Sequence, residues 1–114
     1  MKFIIPIDIF NLSVHFFIGE EMKKPFLKAT GKDEKDLYDC DGYTSCNAIW
    51  IENANNIDVI VHEIHHAKKF IVESRGIKDE ETEAYLMSYI LKGIMKKIQH
   101  ANKKAEKGKH EQSK

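Results

Sequence analysis

Residues 57–74 read IDVIVHEIHHAKKFIVES, and this stretch decides how the rest of the chain can fold. Its apolar side chains recur every three or four residues, which is typical of an α-helix that buries one face. Asn56 and two nearby asparagines supply helix-capping side chains before it, and Gly76 follows it as a stop. The pattern predicts a helix over the whole stretch.

A second helix is predicted from about Asp79 to Gln99. Its first turn is acidic and its last turn is rich in lysine, an arrangement that the helix dipole favours. An apolar stripe, broken only by Gly93, runs along one side and can pack against the first helix. The stripe consists of Tyr85, Leu86, Tyr89, Ile90, Ile94 and Ile98. The two helices are therefore expected to form a hairpin.

Three further segments have the alternation or the β-branched content of strands, namely residues 3–9, 13–18 and 46–52. Pro6 lies within the first of them. Because proline cannot donate a hydrogen bond to a neighbouring strand, this strand is expected at the edge of the sheet. The first two strands are expected to form a β-hairpin.

Residues 20–30 have the spacing of a short helix closed by Gly31, and the acidic, turn-rich residues 32–45 are expected to form a surface loop. The predicted fold class is α+β, with a small, about three-stranded, mostly antiparallel sheet packed on the helix hairpin. Residues 1–100 are expected to form one domain. Residues 101–114 have almost nothing apolar to bury and are expected to be a disordered polar tail.

The composition narrows the class of partner. Eighteen basic and eighteen acidic residues cancel in a chain of 114 residues, which argues against nucleic acid or an anionic membrane as the main partner. No stretch is long and apolar enough to cross a bilayer, and the N-terminus lacks a signal-peptide cleavage pattern. A cytoplasmic protein is expected, with Cys40 and Cys46 as reduced thiols and with no oligomeric state indicated.

His62, Glu63 and His66 form an H-E-x-x-H pattern on the first predicted helix. Residues four apart on a helix share a face, so that both imidazoles can reach one metal ion, and Zn²⁺ suits this ligand type. The carboxylate of Glu63 is then placed to act as a general base on a water molecule that zinc activates. This chemistry is that of a zinc metallopeptidase, which hydrolyses peptide bonds.

A catalytic zinc needs a third protein ligand and one open position. The start of the second helix offers Glu80 and Glu83, which share a face. Glu83 is the preferred ligand because the chain can turn at Gly76 and return alongside the first helix. Glu80 remains the alternative, and either glutamate could instead be an ordinary acidic residue of a helix N-terminus.

Residues 49–94 carry a resemblance to a known group of proteins, through the sequence VHEIHHA around His62 and the sequence EAYLMSY that begins at Glu83. This part of the chain is similar to short metallopeptidases encoded by bacteriophages and prophages, and more broadly to minimal gluzincins. The resemblance implies a zincin-like fold, with His62, His66 and Glu83 as zinc ligands and Glu63 as the general base. It also implies a peptide or protein substrate and the cytoplasm of a bacterial host.

The sequence does not determine which group stabilises the oxyanion, and the candidates are Tyr43, His65, Tyr85 and Tyr89. Core packing is the expected role of Tyr85 and Tyr89, which lie well round the helix from Glu83, and packing is also expected of Trp50. Two other functions compete with a peptidase. One is a zinc-stabilised, non-catalytic module that binds a host or phage protein, and the other is a metal-free helical interaction protein.

Overall fold

The computed structural model describes residues 1–112, with side chains up to residue 106. Within these residues the chain forms four strands and three α-helices. Two short 3₁₀ turns flank the first helix, at Glu20–Met22 and Glu34–Leu37. The regular elements are β1 (Lys2–Ile7), β2 (Leu12–Ile18), α1 (Lys23–Thr30), β3 (Gly42–Ser45), β4 (Ala48–Ile51), α2 (Ile57–Ser74) and α3 (Glu80–Gln112).

The strands form one mixed sheet in the order β1-β2-β4-β3. The β1–β2 and β3–β4 pairs are antiparallel hairpins, whereas the central β2–β4 pair is parallel, with Phe16 opposite Ile49. β1 lies at an edge, as its Pro6 predicted. The segment that crosses between the parallel strands carries α1 and β3.

The alternation along β2 and β4 separates two hydrophobic cores, one on each face of the sheet. Phe16, Ile18, Ile49 and Ile51 face the larger core, which α2 and α3 complete. The smaller core lies on the opposite face against α1, and it consists of Phe17, Phe26, Leu37 and Trp50. The expected packing role of Trp50 is confirmed, since this residue is fully buried.

α2 has the predicted bounds because its ends are satisfied as the sequence indicated. The side chain of Asn56 accepts a hydrogen bond from the main-chain N–H of Val59, which caps the first turn. At the other end Gly76 adopts a positive φ of 67°, and the chain turns back into α3. The buried face of α2 then packs on the sheet and on α3, which forms the expected helix hairpin.

Two expectations need correction. Residues 42–45 belong to a strand and not to a loop, so that the sheet has four strands where about three were expected. α3 continues to Gln112, although a disordered tail was expected from residue 101, and residues 113–114 lie outside the described part of the chain. The α+β class, with a small sheet packed against a helix hairpin, is confirmed.

Among the described helices, none combines the length and the apolar character that crossing a membrane requires.

Candidate metal site

His62 and His66 project from the exposed side of α2 and converge on each other. Their Nε2 atoms are 3.1 Å apart, and their rings meet edge to face with centroids 4.8 Å apart. The convergence follows from the helix, because residues four apart lie one turn above each other on the same face. Neither ring is drawn into the core, so that both keep a nitrogen lone pair available at the surface.

This spacing fits a shared metal ion. Two nitrogens bound to one tetrahedral Zn²⁺ at about 2.0–2.1 Å each would be roughly 3.4 Å apart. The Nε2 atoms need to separate by only a few tenths of an ångström from their 3.1 Å spacing to reach that geometry. Within the described residues His62, Glu63 and His66 form a group whose possible ligand atoms all lie within 4.8 Å of one another.

Glu63 differs from the two histidines because it is almost fully buried, with 6% of its surface exposed. It lies about 100° round the helix from His62, which turns its side chain towards the sheet at β3. There the hydroxyl Oγ1 of Thr44 lies 3.2 Å from the carboxylate oxygen Oε1 of Glu63 and 3.0 Å from its main-chain oxygen. A buried carboxylate thus has a fixed polar partner, as burial requires.

A close approach of β3 to α2 makes this contact possible. A Cβ atom at Gly42 would lie 2.6 Å from Cγ1 of Val59 and 3.0 Å from Cγ of Glu63, both closer than ordinary van der Waals contact. Only glycine allows the strand to lie this near the helix at that point. The consequence is a tight seam between the strand and the Glu63 side of α2.

A shallow cleft of about 360 Å³ lies along this seam. It is lined by Cys40, Asp41, Gly42, Asp58, Val59, His62 and Glu63. Asp41 and Asp58 are exposed carboxylates, so the cleft carries negative charge beside the first histidine. Asp58 also lies one helical turn before His62 on the same face of α2. A cation at the histidine pair would be favoured by both charges.

The structure does not bring Glu83 into the group. Its Oε1 atom forms an ion pair with Nζ of Lys68 at 3.0 Å. Lys68 is two residues beyond His66 and thus about 200° round α2, almost on its opposite side. Glu80 is exposed at the start of α3 and is likewise outside the group. In the described part of the chain, the three grouped residues therefore all come from α2.

The four candidates for stabilising an oxyanion occupy different places. His65 is exposed, with its ring centroid 5.9 Å from that of His66, and the positive charge of Lys68 lowers its pKa. Tyr43 faces the smaller core, edge to face with Phe26. Tyr85 and Tyr89 were expected to pack in the core. This expectation is wrong, because Tyr85 is 70% exposed and Tyr89 is 41% exposed.

Tyr85 and Tyr89 flank a groove beside the end of β1, and the Tyr89 hydroxyl donates to the main-chain oxygen of Pro6. Of the four candidates, His65 alone is thus adjacent to the histidine pair.

Sequence reasoning missed Thr44 and Gly42 because it assigned their segment to a loop. The turn between β3 and β4 is Cys46-Asn47, and only Cys46 has a positive φ there, at 56°. Two-residue hairpin turns of this type usually carry glycine at that position, so the common hairpin signature is absent. The tyrosine and threonine of GYTS, both frequent in strands, were the signal that could have found β3.

Comparison of the chain with protein-family models, with curated proteins and with solved structures finds no match.

Proposed function

We propose that the protein is a zinc-dependent hydrolase that cleaves peptide bonds, with its site on α2 beside β3. The observation that carries the proposal is the pair of imidazole nitrogens 3.1 Å apart next to a buried, hydrogen-bonded carboxylate. Two neutral nitrogen ligands with a carboxylate beside them are the parts that a zinc peptidase uses. The proposal includes a relationship to phage-encoded minimal gluzincins and a location in the bacterial cytoplasm.

In this proposal His62 and His66 would hold the ion through Nε2, as two of the three protein ligands that a catalytic zinc needs. When bound, zinc lowers the pKa of a coordinated water towards neutrality and polarises a carbonyl group. Glu63 takes the proton from the attacking water and returns it to the nitrogen of the leaving amine. Of the four candidates for stabilising the developing oxyanion, His65 is the one that lies beside the pair.

The open edge of β3 supports a peptide as the substrate. In the described sheet β3 pairs only with β4, and Gly42 at the start of β3 lines the cleft of His62 and Glu63. An extended peptide can pair with such an edge through main-chain hydrogen bonds. This arrangement would hold a scissile bond along the seam between β3 and α2. The cleft is shallow, which suits an extended chain better than a compact small molecule.

Zinc content and one substitution test the proposal. We expect the purified protein to bind about one zinc per chain and to cleave a fluorogenic peptide pool. Glu63→Gln should keep the zinc and lose nearly all hydrolysis, because it removes the base and leaves both imidazoles intact. Glu73→Gln, an exposed change on the same helix, is the matched control. Full hydrolysis by Glu63→Gln would rule out the proposed mechanism.

One observation favours a second function, a zinc-stabilised module that binds a partner without catalysis. Glu83 is engaged by Lys68, so the grouped donors are two imidazoles and Glu63 itself. If Glu63 is a ligand, no general base remains and the site is structural. The same variant separates the two functions, since Glu63→Gln would then lose zinc and thermal stability together.

A further inference from the structure

The contact between Thr44 and Glu63 joins the edge strand to the helix at the proposed site. Oγ1 of Thr44 lies 3.2 Å from Oε1 of Glu63 and 3.0 Å from the main-chain oxygen of the same residue. A hydroxyl carries one hydrogen and therefore donates to one acceptor at a time. Both acceptors belong to Glu63, and donation to Oε1 is the choice that restrains the carboxylate.

The two oxygens of the Glu63 carboxylate are in different surroundings. Oε1 is the one near Thr44. Within the described residues no buried side-chain oxygen or nitrogen lacks a hydrogen-bond partner, and no described hydrogen bond reaches Oε2. Oε2 is therefore accessible to solvent, and Glu63 lines the cleft that His62 also lines. Oε1 thus lies within hydrogen-bond distance of the strand, and Oε2 is open to solvent.

Two residues of β3, Gly42 and Thr44, bring the strand and the Glu63 carboxylate together. Gly42, two residues earlier on the strand and thus on the same face, lets β3 approach within contact distance of Val59 and Glu63. The strand presents glycine where the helix must come close and threonine where the carboxylate needs a partner. A glutamate side chain in solution samples several rotamers, and a hydrogen bond from Thr44 to Oε1 would restrict that freedom.

We infer that Thr44 is a positioning residue for Glu63, fixing the carboxylate rotamer that turns Oε2 towards the cleft of His62. This inference rests on the proposed function, in which Glu63 acts on water. The edge strand β3 would then contribute to the site through the side chain of Thr44.

The rotamer of Glu63 is the first measurement, taken by NMR from the couplings of its Hα and Hβ protons. Thr44→Val removes the hydroxyl at nearly constant shape, and Thr44→Ser retains it. We expect a single Glu63 rotamer in the wild type and in Thr44→Ser, and averaged couplings in Thr44→Val. Unchanged couplings in Thr44→Val would overturn the inference. Thr44→Ala provides a second deletion of the hydroxyl if Thr44→Val does not fold.

Hydrolysis of a fluorogenic peptide pool by the zinc-loaded protein is the second measurement. Loss of one hydrogen bond that orients the base should lower kcat roughly tenfold, with little change in KM, and Thr44→Ser should restore it. Thr30→Val is the matched control, because the Thr30 hydroxyl also donates to a helix carbonyl, that of Phe26, in α1. An equal fall of kcat in both Thr→Val variants would contradict a specific role.

The two measurements separate the inference from the function on which it rests. If the wild type cleaves none of the peptides, the proposed function fails, while the Glu63 couplings still decide whether Thr44 positions the carboxylate. If hydrolysis is present and Thr44→Val keeps the wild-type kcat, the function stands and the inference fails.

Discussion

The Nε2 atoms of His62 and His66 lie 3.1 Å apart on the exposed side of α2. At this distance one ring can donate a hydrogen bond to the other, which requires a proton on one of the two nitrogens. A metal ion instead requires a lone pair from both. The same geometry therefore permits a hydrogen-bonded pair without metal and a chelating pair with it, the second after the donor ring moves its proton from Nε2 to Nδ1.

Removing either ring of this pair should abolish tight zinc binding. We expect His62→Ala and His66→Ala each to lower the zinc affinity by more than roughly 100-fold, since even supporting residues around a metal are worth 10- to 100-fold. His65→Ala, on the neighbouring face of the same helix, should keep the wild-type affinity. Competition with a chromophoric chelator measures all three. A comparable loss in His65→Ala would point to a different set of ligands.

Glu83→Gln distinguishes a metal ligand from an ion-pair partner. In the structure Glu83 binds Lys68 at 3.0 Å, and the lysine side chain is 11% exposed while that of Glu83 is 37% exposed. Removing the partner of a fully buried charge costs about 3–5 kcal/mol, and solvent screening at Glu83 reduces this to roughly 1 kcal/mol. We therefore expect a small loss of unfolding free energy in urea, with unchanged zinc affinity.

The opposite result would support the role that the resemblance assigns to Glu83. A large fall in zinc affinity with little change in the stability of the metal-free protein would show that Glu83 leaves Lys68 to bind the metal. Glu80→Gln is the matched control, because Glu80 is exposed on the same turn of α3 and has no described ion pair.

The seam between β3 and α2 should be intolerant of a single methyl group. Gly42→Ala places a Cβ atom 2.6 Å from Cγ1 of Val59, so that strand and helix must separate. Overpacking of this kind costs about 1–3 kcal/mol of unfolding free energy, which urea denaturation measures. Adding Val59→Ala removes the clashing methyl and should return part of the loss. Strictly additive effects of the two changes would show that they do not contact each other.

The helices could be predicted because their signals are local. The period of apolar residues, the capping by Asn56 and the positive φ of Gly76 all act within a few residues, and they give α2 its observed bounds. His62, Glu63 and His66 were predictable for the same reason, because four residues of helix bring the two imidazoles together without help from the rest of the fold.

The parts that were missed depend on contacts between distant segments. Thr44 reaches Glu63 only because β3 pairs with β4 and Gly42 allows the strand to lie against α2. The partner of Glu83 was also outside the reach of pattern analysis, since the ion pair with Lys68 depends on how α2 and α3 are rotated against each other. A spacing between two helices does not determine that rotation.

His15 should give the folded protein a dependence on pH. Partial burial, and then the positive charge of Lys2, lower the pKa of His15 below its ordinary value of about 6.5. As the pH falls through that value the unfolded chain takes up a proton at His15 before the folded chain does, so the folded state loses stability. The loss ends once the pH is below the lowered pKa, and above about pH 7.5 the effect is absent.

His15→Gln should remove this contribution. We expect the difference in Tm between about pH 7.5 and pH 5.5 to be larger in the wild type than in His15→Gln. Comparing the two slopes isolates His15, because the other ionisable groups are shared by both proteins. Lys2→Met should narrow the difference in the same direction but by less, since the charge of Lys2 is the smaller of the two causes. Parallel curves for the wild type and His15→Gln would show that His15 has the same pKa in the folded and the unfolded chain.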